Sequence, residues 1–144
     1  MISFFLLKKF DKKTSNFLLK LRNKNYVIEN SFTNKKILTK EHHNWILKFL
    51  ENKHNNLFLI QNKKKNIGYI RFEQNKLKKN ISWALLKKFH NKGIISKNLK
   101  TLTSNKNIKY SARIKKKNIA SLKMAFKAGF IKDRVRGETV FLRK

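Results

Sequence analysis

Apolar positions fall in short blocks, separated by clusters of Asn and Lys. Ile2–Lys8 is an apolar run that reads as a strand, and Lys12–Arg22 places Phe17, Leu18 and Leu21 at helical spacing, with Asp11 or Thr14 available as a cap. Thr39–Lys53 carries the strongest helical pattern: Trp45, Ile46, Phe49 and Leu50 fall on one stripe and Thr39 is the expected N-cap. Leu57–Gln61 reads as a buried strand, and Ile67–Glu73 alternates with Gly68 inside it, so the polar stretch between them predicts a hairpin. Ile81–Leu86 is a further strand, and Gly93 precedes a helical pattern through Ile94, Ile95, Leu99 and Leu102. Ile108–Ile114 alternates strictly. Asn118 opens a helix with Leu122, Ala125 and Phe126 expected inward and Gly129 as a positive-φ terminator. Phe130–Val135 and Thr139–Leu142 close the chain about a turn at Arg136–Gly137. The order is βααβββαβαββ, an α/β sandwich of mixed sheet with helices on both faces.

Length changes this picture little: 144 residues suit one domain, 1–144, with a core that needs no staples. The longest apolar runs, such as Phe4–Leu7, have four residues. A membrane span needs roughly 17–25, and a signal peptide an apolar stretch of about 7–15, so a cytoplasmic protein is expected. With no cysteine, disulfides, thiolate metal sites and cysteine nucleophiles are excluded together.

Charge is the outstanding feature: 37 Lys+Arg against 7 Asp+Glu, a formal net charge of +30. Such a balance raises a nucleic-acid-binding protein as one function class. Yet 31 of the basic residues are Lys and 6 are Arg, the side chain suited to bidentate readout. Lys63–Lys65, Lys78–Lys79, Lys87–Lys88 and Lys115–Lys117 also fall where the chain turns. A solvated Lys-rich surface accounts for this better than a nucleic-acid partner, and it still attracts anionic ligands.

Two segments carry candidate chemistry. In the first, Ile81–Leu86 runs into Lys87-Lys88-Phe89-His90-Asn91-Lys92-Gly93-Ile94-Ile95-Ser96. A Gly opening a helix leaves unpaired N–H groups beside the positive end of the helix dipole, a phosphate cradle or simply a plain helix start. In the second, Asn118-Ile119-Ala120-Ser121 is followed by Ala128-Gly129-Phe130. Asn118 reads as an N-cap for Ser121, which leaves ligand contact by the same side chain open.

Together these segments resemble the GNAT superfamily of acetyl-CoA-dependent N-acetyltransferases, and the likeness extends over nearly the whole chain. It implies a mostly antiparallel sheet of six to seven strands and acetyl-CoA as cosubstrate, with no metal. The family's phosphate loop matches at Gly93 and the base before it, while His90 stands for Arg or Gln and Ile95 for a small residue. The resemblance implies that backbone groups near Ala84, Leu85 and Leu86, on a strand splayed from Tyr110–Ile114, meet the pantetheine arm. It further implies that the amides of Asn91, Gly93, Ile94, Ile95 and Ser96 hold the pyrophosphate, with Asn118 and Ser121 on the pantetheine side.

Leu21-Arg22-Asn23, Ser31, His42-x-x-Trp45 and Ile67–Phe72 are similar to enzymes acetylating nucleotide-linked amino sugars, as in the pseudaminic-acid pathway. This branch implies an acceptor pocket lined by His42, Trp45 and Arg71. His42, Trp45 and Phe49 share one helix stripe, where a His is either a satisfied core residue or part of that pocket. Glu73 and His42 are the acid–base candidates, because Ile81–Leu86 lacks a carboxylate and Ala125 stands where relatives carry a thiolate-protonating Tyr. The expected partner is a small-molecule amine, with nucleic acid and membrane disfavoured and a homodimer left open. Acetylation of a protein or amino-acid amine, and a fold without catalysis, are the alternatives within this class.

Overall fold

The computed structural model describes residues 1–144. Its elements run β1 (Ile2–Leu6), α1 (Lys12–Arg22), α2 (Asn25–Glu29), α3 (Thr39–Glu51), β2 (Asn56–Asn62), β3 (Lys65–Asn75) and β4 (Lys78–Leu85). A 3-10 turn at Lys87–Phe89 leads to α4 (Ile94–Leu102), β5 (Lys109–Lys115), α5 (Ile119–Lys127), β6 (Ile131–Arg136) and β7 (Thr139–Arg143). The strands form one seven-stranded sheet in the order β1-β2-β3-β4-β5-β7-β6. The β4–β5 pairing is parallel, and the β1–β2, β5–β7 and β6–β7 pairings are antiparallel. This is the mixed α/β architecture the sequence pattern implies.

The chain divides into two compact units, Met1–Arg71 with Trp83–Phe89, and Phe72–Ser82 with His90–Lys144. In the first, the α1 and α3 stripes bury Leu18, Ile46 and Phe49 with Leu7, Leu57 and Leu59, and Trp45 and Tyr69 pack at the margin of this core. Asp11 caps α1, accepting from the Thr14 amide at 3.0 Å and the Thr14 hydroxyl at 2.6 Å. The β2–β3 hairpin turns at Lys63 and Lys64, both at positive φ. Such a turn usually recruits Asn or Gly, so two lysines here accept local backbone strain.

In the second unit, Tyr110, Ala112 and Ile114 bury one face of β5, while Leu99 on α4 and Ala125 on α5 are fully enclosed. α5 ends as expected, with Gly129 at φ +98 and the Phe130 amide returning to the Ala125 carbonyl at 3.0 Å. The Lys144 ammonium closes both helix ends, donating to Thr103 Oγ1 at 2.9 Å and to the Ala128 carbonyl at 2.8 Å.

Four expectations need correction. A third helix, α2, precedes α3; its five residues, Asn25–Glu29, are too few to show an apolar period. Leu38 rather than Thr39 occupies the N-cap of α3, and it makes no side-chain cap bond. Phe126 is 48% exposed rather than inward, since α5 buries a narrow stripe centred on Ala125. β3 and β4 also extend into the Lys-rich turns because hairpin pairing continues past their apolar residues.

Candidate active site

The second unit holds the phosphate-loop segment. Gly93 sits at φ +70 as the N-cap of α4, preceded by Asn91 at φ +62. No side chain caps the helix, and its first intrahelical bond runs from the Lys97 amide to the Gly93 carbonyl at 3.1 Å. The amides of Ile94, Ile95 and Ser96 therefore precede the helical ladder, and a Cβ built on Gly93 would meet nothing nearer than Ser96 Oγ at 4.0 Å. An anion can approach this main chain closely. Ile95, which stands for a small residue of the family pattern, turns its side chain into the core at 2% exposure. It leaves the turn uncrowded.

Asn118 caps α5 as the sequence implied, its Oδ1 accepting from the Ser121 amide at 3.2 Å. The Nδ2 group of the same side chain is not used by the cap. Glu73 belongs to this unit too, half-buried on β3.

The β4–β5 ladder comprises three pairs, Lys78 with Lys109, Lys79 with Tyr110 and Asn80 with Ser111. β4 itself continues past this ladder to Leu85. The expected main-chain contacts are not equivalent, however. The Leu86 amide already donates to the Ile67 carbonyl on β3 at 2.8 Å, and a Cβ on Gly68 would lie 2.5 Å from the Ala84 carbonyl. The main-chain amide of Leu86 and the carbonyl of Ala84 are thus turned to β3, while Leu85, by strand alternation, is turned to the opposite edge.

In the first unit, α3 brings His42, Trp45 and Phe49 into one column, with ring centroids 5.6 and 5.2 Å apart in turn. The Arg71 guanidinium lies 5.1 Å from the Trp45 ring centroid. His42 itself is buried, its Nδ1 3.3 Å from Ser15 Oγ. Burial, then the neighbouring His43 and Arg22, push its pKa down to about 4. The imidazole is uncharged at neutral pH and has a partner within the fold, which makes it a weak base.

Two further side chains complete this cluster. Arg22 donates through Nη2 to the Thr33 carbonyl at 2.9 Å, whereas its Nη1 is buried with no partner. Burial lowers its pKa, Tyr69 opposes that shift, and the Arg71 charge adds to it; no carboxylate acts on it. Tyr26, on the unforeseen α2, donates to the Leu85 carbonyl at 3.1 Å. The sequence marks Arg22 only as part of a motif and Tyr26 not at all, because nothing local signals a side chain whose partner is 59 residues away.

The family model for the GNAT acetyltransferase domain matches residues 6–131. The chain belongs to this family. It is an acyltransferase of GNAT type. No curated protein matches by sequence. Among solved structures, it resembles an aminoglycoside acetyltransferase in complex with coenzyme A and kanamycin, at TM-score 0.79 and 14% identity over 100% of this chain and 94% of that one. It also resembles the ribosomal alpha-N-protein acetyltransferase RimL in complex with coenzyme A, at TM-score 0.79 and 16% identity over 98% and 92%. The Campylobacter jejuni N-acetyltransferase PseH, in complex with acetyl coenzyme A, matches at TM-score 0.72 and 15% identity over 100% and 98%. At these identities the likeness is one of fold. No group of three or more His, Asp or Glu side chains is placed to hold a metal ion, and no helix is long and apolar enough to cross a membrane.

Proposed function

We propose that residues 1–144 work as one acetyltransferase domain that moves an acetyl group from acetyl-CoA to a primary amine. The observation that carries this reading is the uncapped left-handed turn at Asn91–Gly93 opening α4. Its main-chain amides, including those of Ile94, Ile95 and Ser96, would hold the pyrophosphate. The main chain of β4 near Leu85 would run beside the pantetheine arm, and Asn118 would donate through Nδ2, with Ser121 beside it. Acetyl-CoA supplies an activated thioester, and the protein supplies position and hydrogen-bond donors. Glu73, acting directly or through water, is the group proposed to take the amine proton; neutral His42 serves chiefly to hold the α3 stripe.

The acceptor is a small molecule carrying an anionic group, and a nucleotide-linked amino sugar fits best. Arg22 and Arg71 form a cationic pair with no carboxylate in ion-pair reach, and one buried guanidinium nitrogen has no partner. A buried, unpaired polar group of this kind is costly unless a ligand completes it. Trp45 offers ring area for a sugar or base beside it.

The test is a melting assay with acetyl-CoA, followed by thiol release with amine acceptors of different charge. We expect a coenzyme-dependent shift, and turnover with a nucleotide-linked amino sugar exceeding that with an aminoglycoside or a peptide amine. Arg22→Met should erase that preference. Nucleic-acid affinity with a steep salt dependence, and no response to coenzyme, would replace this reading by the nucleic-acid one.

A further inference from the structure

We propose that the β6 edge of the second unit docks an extended acidic segment of another protein, with a carboxylate at every second position. Four of the six arginines of the chain stand on its last three strands: Arg113 on β5, Arg134 and Arg136 on β6, and Arg143 on β7. The ladder registers set them on one face. Phe141 lies opposite Arg113 and Arg134, Thr139 opposite Lys115 and Arg136, and Arg143 opposite Ser111 and Ile131. Residues opposite one another in a sheet share a face, and the alternate residues of β7, Val140 and Leu142, are buried on the other. All four arginines are exposed. Unlike the lysines, which follow the turns, the arginines are gathered on one surface.

β6 ends the sheet, and all six of its residues are exposed. A strand edge of this kind can accept an added strand. Along β6, Arg134 and Arg136 are about 7 Å apart on the open face, the spacing of alternate residues in any extended chain. Carboxylates at alternate positions of an added strand would therefore stand opposite both. Asp133 shows that the face takes such a group. At the bulge between Lys132 and Arg134, its carboxylate lies 3.3 Å from Arg134 Nη1 and 3.6 Å from Arg143 Nε. The bulge also breaks the strand, so main-chain pairing is confined to Arg134–Arg136 and charge carries the affinity.

Two other occupants fit less well. A second copy pairing along β6 would set Lys132, Arg134 and Arg136 against the same residues, and like charges opposite one another repel. A single-stranded nucleic acid needs rings on which its bases stack. Phe141 is the one aromatic residue on the open face of these strands, and the Arg134 guanidinium lies 4.2 Å from its ring centroid. Carboxylates need no such platform, and a guanidinium offers them paired donors.

The test is fluorescence anisotropy with the full chain and a labelled peptide alternating Glu and Thr, with Gln replacing Glu in the control. The Glu peptide should bind, the Gln peptide should not, and affinity should fall as salt rises. Arg134→Gln with Arg136→Gln should weaken binding about tenfold, the scale of two partly exposed ion pairs. Lys40→Gln with Lys53→Gln removes the same charge from exposed positions of the first unit. That variant should stay within about twofold of the parent, because screened charges outside the contact contribute little. Arg136→Ala should keep the parental melting temperature and still lose about threefold in affinity. Equal losses in the arginine and lysine variants would reduce the effect to net charge and overturn the proposal, as would a Gln peptide that binds as well as the Glu peptide. A single-stranded RNA that binds more tightly than the peptide, and weakens with the same arginines, would overturn it in favour of nucleic acid. A dimer in sedimentation that the arginine variants dissociate would overturn it in favour of a second copy.

Discussion

Ser15 on α1 and His42 on α3 share an enclosed hydrogen bond, with the hydroxyl oxygen 3.3 Å from Nδ1 of a ring that is 4% exposed. The bond ties together the two helices that carry the first unit's core. Enclosure disfavours the charged imidazolium, which makes the fold sensitive to acid.

With a folded pKa of about 4 against an ordinary 6.5, both states leave His42 unprotonated above pH 6.5 and stability is complete there. Between pH 6.5 and 4 the unfolded chain binds a proton that the folded one refuses, so stability falls. Below about pH 4 both states are protonated and this contribution levels off. The loss should approach about 3 kcal/mol. Urea titrations at pH 7.5, 5.5 and 4.5 should show this slope, and His42→Gln should flatten it; an identical slope in the variant would place the acid sensitivity elsewhere.

The elements that positioned these groups were legible wherever an apolar period was long enough. The α3 stripe predicted the column of His42, Trp45 and Phe49 because three turns of helix fix side-chain direction. Asn118 was readable as a cap because capping is local chemistry, confined to the three residues up to Ser121. Gly93 was readable for the same reason. What stayed hidden depends on which strand edge a main-chain group faces. Leu85 and Leu86 are adjacent and both apolar, yet one carbonyl meets Tyr26 while the other residue's amide meets Ile67. No side-chain pattern encodes that difference. The partnerless Arg22 Nη1 was hidden likewise, since an absent carboxylate is a fact of three dimensions.

Gly68 on β3 lies tight against β4. A methyl group there would lie 2.5 Å from the Ala84 carbonyl and 2.8 Å from Leu85 Cδ1, so β4 must shift to admit it. Gly68→Ala should cost about 1–3 kcal/mol of stability by overpacking. It should also weaken the melting shift with acetyl-CoA, because Leu85 moves with the strand. Parental stability would mean that β4 yields more freely than this contact implies.

Gly93→Asp tests the phosphate turn. Asp tolerates the left-handed region better than most residues, so the fold should survive the φ of +70. Its carboxylate would stand against the pyrophosphate, and the acetyl-CoA melting shift should largely disappear. Gly93→Asn has a similar backbone tolerance without the charge and should retain more of the shift. Equal shifts in the parent and both variants would remove the turn from the coenzyme site.

Lys144→Met addresses stability alone. It removes two charge-assisted bonds, to Thr103 Oγ1 and the Ala128 carbonyl, at the ends of α4 and α5. A loss of about 1.5–3 kcal/mol is expected in urea unfolding. A loss below about 0.5 kcal/mol would show that water satisfies those helix ends as well as the lysine does.

Asn118 separates a structural from a binding role within one side chain. Its Oδ1 caps α5 at 3.2 Å from the Ser121 amide, a bond that an Asp carboxylate can replace. Its Nδ2 is a donor, and Asp has none to offer. Asn118→Asp should therefore unfold at nearly the parental urea concentration. Asn118→Ala, which lacks the cap, should lose about 0.5–2 kcal/mol. Coenzyme binding should rank the variants differently: Asp is expected to weaken acetyl-CoA affinity at least as much as Ala, since its charge also faces the coenzyme phosphates. If Asp binds the coenzyme as tightly as the parent, Asn118 is a helix cap and nothing more, and the coenzyme site would have to rest on the Gly93 turn.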